Sequence, residues 1–354
     1  MLSETVTTIT QNDVLPTIVN QVSNSTVWLA RLFGELVTSW QGANYRVPVR
    51  IQKKSNGGSF SGLAPWDTSS TNNVRYLEFN VQSYVEPVVI PGLQRAINAQ
   101  AGENQVLSFV AEKMDDAREA MRDNLGDMFY GTGLGDDFDG LEVAVDAGTN
   151  ATSYGGITRS SYSWMVSTED TTSTAITLAL AFANFDAVSA AGDGEEAPTI
   201  ALTTKTLWRT LETAMNSQIQ AHYMSTSVQG YNKVGGNTPR GELVPQAELK
   251  GAAGFNAISL RGRPMVADDK APSGKFYWLN ENKLEFRSLK DDTLRQVSVT
   301  PQVDDVSGEL PTSPIQFRDN MKAINQHGEI GAFLIFGQFV NKAPRRQGKL
   351  INKT

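Results

Sequence analysis

The sequence predicts an α+β fold, and three observations carry that prediction. A stretch from about Glu103 to Tyr130 repeats apolar residues at steps of four and three, the period of a helix with one dry face. Stretches between Tyr45 and Ile90, and again from Ile315 to Val340, follow strand-like patterns. Between them helical and strand patterns alternate, which adds a compact α/β part.

Residues 1–45 are polar, rich in Ser, Thr, Asn and Gln, with a short helix expected from Thr26 to Ser39 on Val27, Leu29, Leu32, Phe33, Leu36 and Val37. Such a segment cannot bury much against itself. Its apolar side needs a surface, either on its own body or on another subunit. From Tyr45 onward Val47, Val49 and Ile51 alternate with Arg46, Arg50 and Gln52, and the pattern resumes through Val74, Tyr76, Phe79 and Val81. This reads as a long hairpin running to Ile90. Its connection, Lys53 to Asn73, holds Asn56-Gly57-Gly58, Gly62 and Pro65 and exceeds what a tight turn requires.

The helical stripe comprises Val106, Val110, Met114, Ala117, Met121, Leu125 and Met128, with charged residues on the remaining faces, and Gly131 and Gly133 end it. After a turn-rich stretch, a second helix is expected from about Thr171 to Ala191, broken by Gly192-Asp193-Gly194. A strand, Pro198 to Leu202, leads through Thr203 or Thr204 as N-cap into a third helix ending near Tyr223. Glycines in 225–254 mark an excursion; Ala257 to Val266, Phe276 to Leu279 and Leu284 to Leu289 return as strands. Gln296 to Val303 is a further strand, and Ile315 to Asn325 and Glu329 to Val340 form a hairpin through Gln326-His327-Gly328. An arm, an oversized hairpin and a long helix beside an α/β body suit a subunit that interlocks with copies of itself.

Composition narrows the chemistry. With no cysteine among 354 residues, disulfides, thiol nucleophiles and sulfur-based zinc sites are excluded. The start MLSETVTTIT has neither the cationic nor the apolar part of a signal peptide, and Ile330–Val340 is about half the roughly 20 residues a spanning helix needs, so no membrane partner is expected. A net charge of −7 disfavours general attraction to phosphate backbones. The exception is the end of the chain, where Lys342, Arg345, Arg346, Lys349 and Lys353 occur without an acid. They read either as a frayed solubilising terminus or as a contact for nucleic acid or an acidic neighbour.

Triads and zinc sites lack their parts, while a glycosidase-type pair of carboxylates stays open, since any two of the 38 acids could converge in space. The two histidines, His222 and His327, stand far apart and belong to no metalloprotease, hydrolase or nucleotide-binding motif. Asp136, Asp137 and Asp139 lack the frame of a calcium loop and read as a solvated acidic turn; Gly131, Gly133 and Gly135 follow a helix where a dinucleotide fingerprint follows a strand. No cofactor and no catalytic residue are assigned.

Within Met128–Met165, Phe138-Asp139-Gly140-Leu141 is followed by Tyr154-Gly155-Gly156-Ile157-Thr158-Arg159-Ser160 and then Trp164. This order resembles a recurring segment of tailed-bacteriophage major capsid proteins of the Hong Kong 97 (HK97-like) fold, in which a spine helix ends in a Gly-rich turn before F-x-G-L and Y-G-G-I-x-R-S elements and a Trp. The motif covers about a tenth of the chain; the order of elements extends the likeness over almost all of it.

The resemblance implies an N-terminal arm (1–45), an extended loop (46–91) that reaches over a neighbour, a peripheral domain with the spine helix (92–160), an axial domain (161–300), and a return to the peripheral domain with a basic tail (301–354). It also implies a non-enzymatic protein that assembles as pentamers and hexamers into an icosahedral head. The implied partners are many copies of itself, a portal protein, scaffolding or decoration proteins, and packaged double-stranded DNA with little specific contact. The implied place is the virion, after synthesis in the host bacterial cytoplasm. An encapsulin-type compartment shell is the alternative on the same fold. One family variant crosslinks a loop lysine to a neighbour's asparagine; Lys53 and Lys54 lie in the loop, but no local motif marks the partner, and crosslinking is not expected. Tyr154-Gly155-Gly156 provides backbone freedom for a sharp turn, and Arg159 is a planar charged fork suited either to an interface or to its own subunit. Trp164 is a large anchor, buried or at an interface.

Overall fold

The computed structural model describes residues 27–40, 42–50, 56–63, 65, 67–70, 72–100, 109–133, 135–189, 197–219, 231–232, 244–245, 257–289, 295–296, 314–322 and 327–354. The chain opens with α1 (Val27–Glu35) and β1 (Val37–Ser39), then β2 (Asn44–Arg50), β3 (Val74–Asn80) and β4 (Gln82–Pro91). Two helices follow, α2 (Gly92–Gln100) and α3 (Phe109–Tyr130), then the single turn α4 (Leu141–Ala144), the short pair β5 (Ser153–Tyr154) and β6 (Ile157–Thr158), and β7 (Thr168–Asp170). The second half holds α5 (Leu178–Val188), β8 (Ile200–Thr203), α6 (Lys205–Ile219), β9 (Tyr231–Asn232), β10 (Val244–Pro245), β11 (Ala257–Leu260), β12 (Arg263–Ala267), β13 (Phe276–Leu279), β14 (Leu284–Ser288), β15 (Arg295–Gln296), β16 (Ile315–Lys322), β17 (Gly328–Asn341) and β18 (Gly348–Leu350).

Two six-stranded sheets organise these elements. The first runs β1-β14-β17-β16-β15, and β4 also pairs with β17; the second runs β11-β12-β8-β13-β18-β7. β17 is the hub of the first sheet: ten of its residues pair with β4, from Gly328 opposite Pro91 to Gly337 opposite Gln82. α3 packs on this sheet through Ala117, Met121 and Leu125, the middle of the stripe read from the sequence. Val106 lies outside the described residues. At the helix's end Phe129 stacks on Phe138 at 5.6 Å and meets Phe286 edge-on at 5.5 Å, an arrangement the ring quadrupole favours. The second sheet is covered by α5 and α6, with Ala181, Phe185, Leu207 and Leu211 against Phe276 and Trp278.

Several expectations are sharpened. The amphipathic helix near the start docks on its own body, with Val27, Trp28, Leu29 and Leu32 buried. The buried Asp268 carboxylate accepts the Trp28 N–H at 2.7 Å, satisfying a donor at the helix start. The hairpin is β2 with β3, from Asn44 opposite Asn80 to Arg50 opposite Val74. Residues 82–91, read as its continuation, instead leave it as β4 and complete the first sheet, because Val88 and Ile90 are buried there beside β17. α2 has no counterpart among the sequence expectations. α5 starts later than expected, at Leu178, where the Thr177 hydroxyl accepts the Leu180 N–H at 3.2 Å. Ala257 to Val266 is two strands, not one, because Arg261 and Gly262 turn at positive φ. The excursion at 225–254, apart from the β9–β10 pair, and the stretch 297–313 lie outside the described residues.

The largest correction concerns the C-terminus. The expected basic tail is part of the fold: β18 is the fifth strand of the second sheet, paired antiparallel with β13 and parallel with β7. It is held there because Leu350 joins the apolar cluster under α5 and Lys349 finds three carboxylates.

Candidate functional site

The family-like segment forms the junction between the sheets. Phe138 enters the aromatic core and Leu141 is fully buried. Gly140 sits where a side chain would collide with the Gly131 carbonyl, so only glycine lets the chain cross the end of α3 this closely. Tyr154 is buried and its hydroxyl accepts the Asn341 N–H at 2.8 Å, which ties the β5–β6 turn to the end of β17. Ile157 is buried beneath the same turn, while Ser160 is exposed. Trp164 is half-buried on the rim of the core, 5.6 Å from Tyr162.

Arg159 resolves in favour of its own subunit. It is 1% exposed, and its guanidinium donates to the carbonyls of Ala151 at 3.1 Å, Asp146 at 2.9 Å, Met165 at 2.6 Å and also Val143. One planar fork thus closes four carbonyls that the irregular segment 143–165 leaves without strand partners. Burial lowers its pKa, and the neighbouring Asp146 carboxylate opposes that. Burial works against the Asp146 charge too, yet the N–H groups of Ala151, Asn150 and Gly148 and the Lys349 ammonium hold it below the usual carboxylate range.

Lys349, with its side chain fully buried, lies 3.3 Å from Asp146, 3.6 Å from Glu142 and 3.7 Å from Glu169. Glu142 also receives Lys275 and the Tyr277 hydroxyl, each at 2.5 Å. Three acids, two lysines and the Tyr277 hydroxyl therefore meet where β7, β13 and β18 abut the motif, a compensated network of the kind burial demands. Asp139 is a correction: it leaves the exposed turn of Asp136 and Asp137 and is half-buried, and burial pushes its pKa up to about 6 against the pull of Arg159.

The same segment mounts the hairpin. The Gly155 carbonyl accepts the Glu78 N–H at 3.0 Å, and Tyr154 meets Phe79 ring to ring at 5.2 Å. Gly155 has φ +54°, and a Cβ there would lie 2.9 Å from Leu77. At the other root Tyr45 donates to Glu285 at 2.8 Å.

Of the basic residues singled out from the sequence, Lys349 is internal and Lys342 pairs with Glu285 at 2.6 Å. Arg346 is half-buried, 3.5 Å from the Val188 carbonyl, and Arg345 is exposed. Lys53 and Lys54 lie outside the described residues. The acidic partner read as an alternative for this stretch is, for Lys342 and Lys349, the chain itself. Sequence reasoning missed Asp146, Glu142, Glu169 and Glu285; only Asp146 has a local signal, the Asp146-Ala147-Gly148 turn in which its carboxylate accepts the Gly148 N–H at 2.8 Å.

Among the described residues no group of three or more His, Cys, Asp or Glu could hold a metal ion, and no helix is long and apolar enough to cross a membrane. The notable surface is apolar. Nine large apolar side chains stand exposed among the described residues, and eight of them fall between Phe60 and Ile97: Phe60 and Leu63 between β2 and β3, Val74 and Tyr76 on β3, Val85 and Val89 on β4, Leu93 and Ile97 on α2. These eight lie on consecutive elements of one part of the chain.

No family model and no curated protein matches the sequence. Solved structures match over nearly the whole chain at low identity. A chain of the cyanophage A-1(L) capsid asymmetric unit aligns with a TM-score of 0.68 at 14% identity, covering 97% of each chain. The encapsulin of the holo-SrpI complex from Synechococcus elongatus PCC 7942 aligns at 0.56 and 13%, covering 100% of this chain and 96% of that one. The capsid of Myoviridae phage XM1 aligns at 0.54 and 10%, covering 99% and 98%. With its spine helix, long sheet, separate two-stranded hairpin and second sheet, the chain has the HK97-like α+β fold of phage capsid and encapsulin subunits.

Proposed function

We propose that this chain is a major capsid protein of a tailed bacteriophage, a non-enzymatic subunit whose copies assemble as pentamers and hexamers into an icosahedral head around double-stranded DNA. The observation that carries this reading is the set of exposed apolar residues from Phe60 to Ile97, on the β2–β3 hairpin with its connection and on the strand and helix after it. A lone soluble chain gains nothing from that surface, whereas repeated contacts between copies bury it many times over. The full-length likeness to capsid structures supports the same reading. Its partners are then other copies, a portal protein, and scaffolding or decoration proteins, and its place is the virion after synthesis in the host bacterial cytoplasm. DNA is enclosed with little direct grip, since net charge is −7 and Lys342 and Lys349 are engaged within the chain.

Sedimentation of the expressed chain, with and without a scaffolding partner, tests the proposal. Wild type is expected to run as a large closed particle, and a Phe60→Ser/Leu63→Ser variant as folded small species. A wild-type chain that stays monomeric under both conditions overturns it. The encapsulin reading draws support from the Synechococcus likeness. Terminase, portal and tail genes beside this one favour a phage head; a peroxidase or ferritin-like gene favours the compartment.

A further inference from the structure

We propose that Glu285 is the positioning residue that sets the direction of the β2–β3 hairpin, gripping its root through a closed ring of hydrogen bonds. The inference builds on the proposed function, in which the hairpin is the part that reaches another copy.

β14 alternates faces, so Phe286 enters the aromatic core while Glu285 and Arg287 share the opposite side. Glu285 is 4% exposed, and both its oxygens are occupied. Oε1 accepts the Tyr45 hydroxyl at 2.8 Å and Arg287 Nε at 2.9 Å, and Arg287 Nη2 donates to that same Tyr45 hydroxyl at 2.9 Å, closing the ring. Oε2 accepts Thr38 Oγ1 at 3.3 Å and Lys342 Nζ at 2.6 Å. The Arg287 guanidinium also covers the Tyr45 ring, 4.4 Å from its centroid, and donates to the Ser39 carbonyl. One carboxylate thus joins β1, β2, β14 and the residue leaving β17.

The second root is held from behind by the adjacent residue. Asn341 donates to Tyr154, whose turn holds β3 through Glu78 and Phe79; Lys342 holds Glu285, which holds β2. Consecutive residues therefore back both mounts. The geometry magnifies any play: a seven-residue arm spans about 20 Å, so each 10° at the root moves its far end by roughly 3–4 Å. Contacts with another copy depend on that displacement being small. Removing the Glu285 charge leaves Arg287 and Lys342 facing a neutral centre and opens the ring at Tyr45.

The test is amide hydrogen exchange on the purified full chain, comparing wild type with Glu285→Gln, Tyr45→Phe and Asp170→Asn. Asp170 holds Lys353 at 2.9 Å in the second sheet and is the control for losing a carboxylate from an ion pair. Glu285→Gln and Tyr45→Phe are expected to speed exchange in residues 44–50 and 74–80 by about tenfold, the scale set by a lost charge-assisted hydrogen bond. β8 and β13 are expected to stay at wild-type rates, and Asp170→Asn to leave the hairpin unchanged. Wild-type hairpin exchange in both root variants, equal loosening of both sheets, or equal loosening by Asp170→Asn overturns the proposal. This readout needs no assembled particle. A wild-type chain that forms no shell therefore sinks the capsid reading while the exchange result decides the positioning role by itself.

Discussion

Arg159 and Asp146 lie 3.9 Å apart with side chains 1% and 0% exposed, yet the donors of Arg159 point to four main-chain carbonyls and not to the carboxylate. The pair is a frame for an irregular loop more than an ion pair. Arg159→Ala is expected to cost about 3–5 kcal/mol, because it takes the side-chain donor away from several buried carbonyls at once. Arg159→Lys should recover less than half of that, since one ammonium cannot span the same acceptors. Urea unfolding followed by tryptophan fluorescence measures both; a loss under about 1 kcal/mol for Arg159→Ala would show that the loop is held by other means.

Gly155 and Gly156 both have positive φ, but only the first is crowded: a Cβ at Gly155 meets Leu77, while nothing lies within 4 Å of one at Gly156. Gly156→Ala should therefore cost only the backbone strain, about 1–2 kcal/mol. Gly155→Ala should cost more and should also expose β3 to tryptic cleavage at Arg75. Equal stability loss and equal cleavage in the two variants would contradict the role of Gly155 in mounting the hairpin.

Two cations four positions apart should behave oppositely. Lys349→Met leaves Asp146, Glu142 and Glu169 short of a buried partner and is expected to destabilise by about 3–5 kcal/mol. Arg345→Gln, at an exposed position, should stay within about 0.5 kcal/mol of wild type. Thermal melts at one ionic strength compare them directly.

Asp139 gives a pH signature of its own. Its folded pKa is raised to about 6, so between roughly pH 4 and pH 6 the folded chain holds a proton that the unfolded chain has released, and stability contributed by this group falls as pH rises. Asp139→Asn should then stabilise the chain above pH 6 by about 1–2 kcal/mol and lose that advantage toward pH 4. Asp146, Asp170 and Glu285 have lowered values, so their contribution is present at neutral pH and is lost as pH falls through those lowered values. A variant equally stabilised at pH 4 and pH 8 would rule out titration of Asp139 as the cause.

Periodicity makes α3 and the β16–β17 pair legible in the sequence, because the α3 stripe packs on the first sheet and every second residue of β17 from Gly331 to Gly337 is buried. The same logic over-extends the hairpin: residues 82–91 keep the alternation of 74–80, and only pairing with β17, some 240 positions later, shows that the chain has changed sheets. Motif spacing finds Tyr154, Gly155 and Arg159, since their turn is local. Lys349 is misread for a physical reason. A cation among cations looks solvated until its acids are found, and Asp146 is 203 positions away. Glu285 escapes likewise, as its partners Thr38 and Tyr45 are 247 and 240 positions distant.

Negative-stain microscopy of the expressed chain, alone and with a scaffolding partner, decides whether it is a shell subunit. Closed, roughly isometric shells or the rings that build them are expected. A field of dispersed, stable monomers at the same concentration, turning over a small substrate, would contradict it.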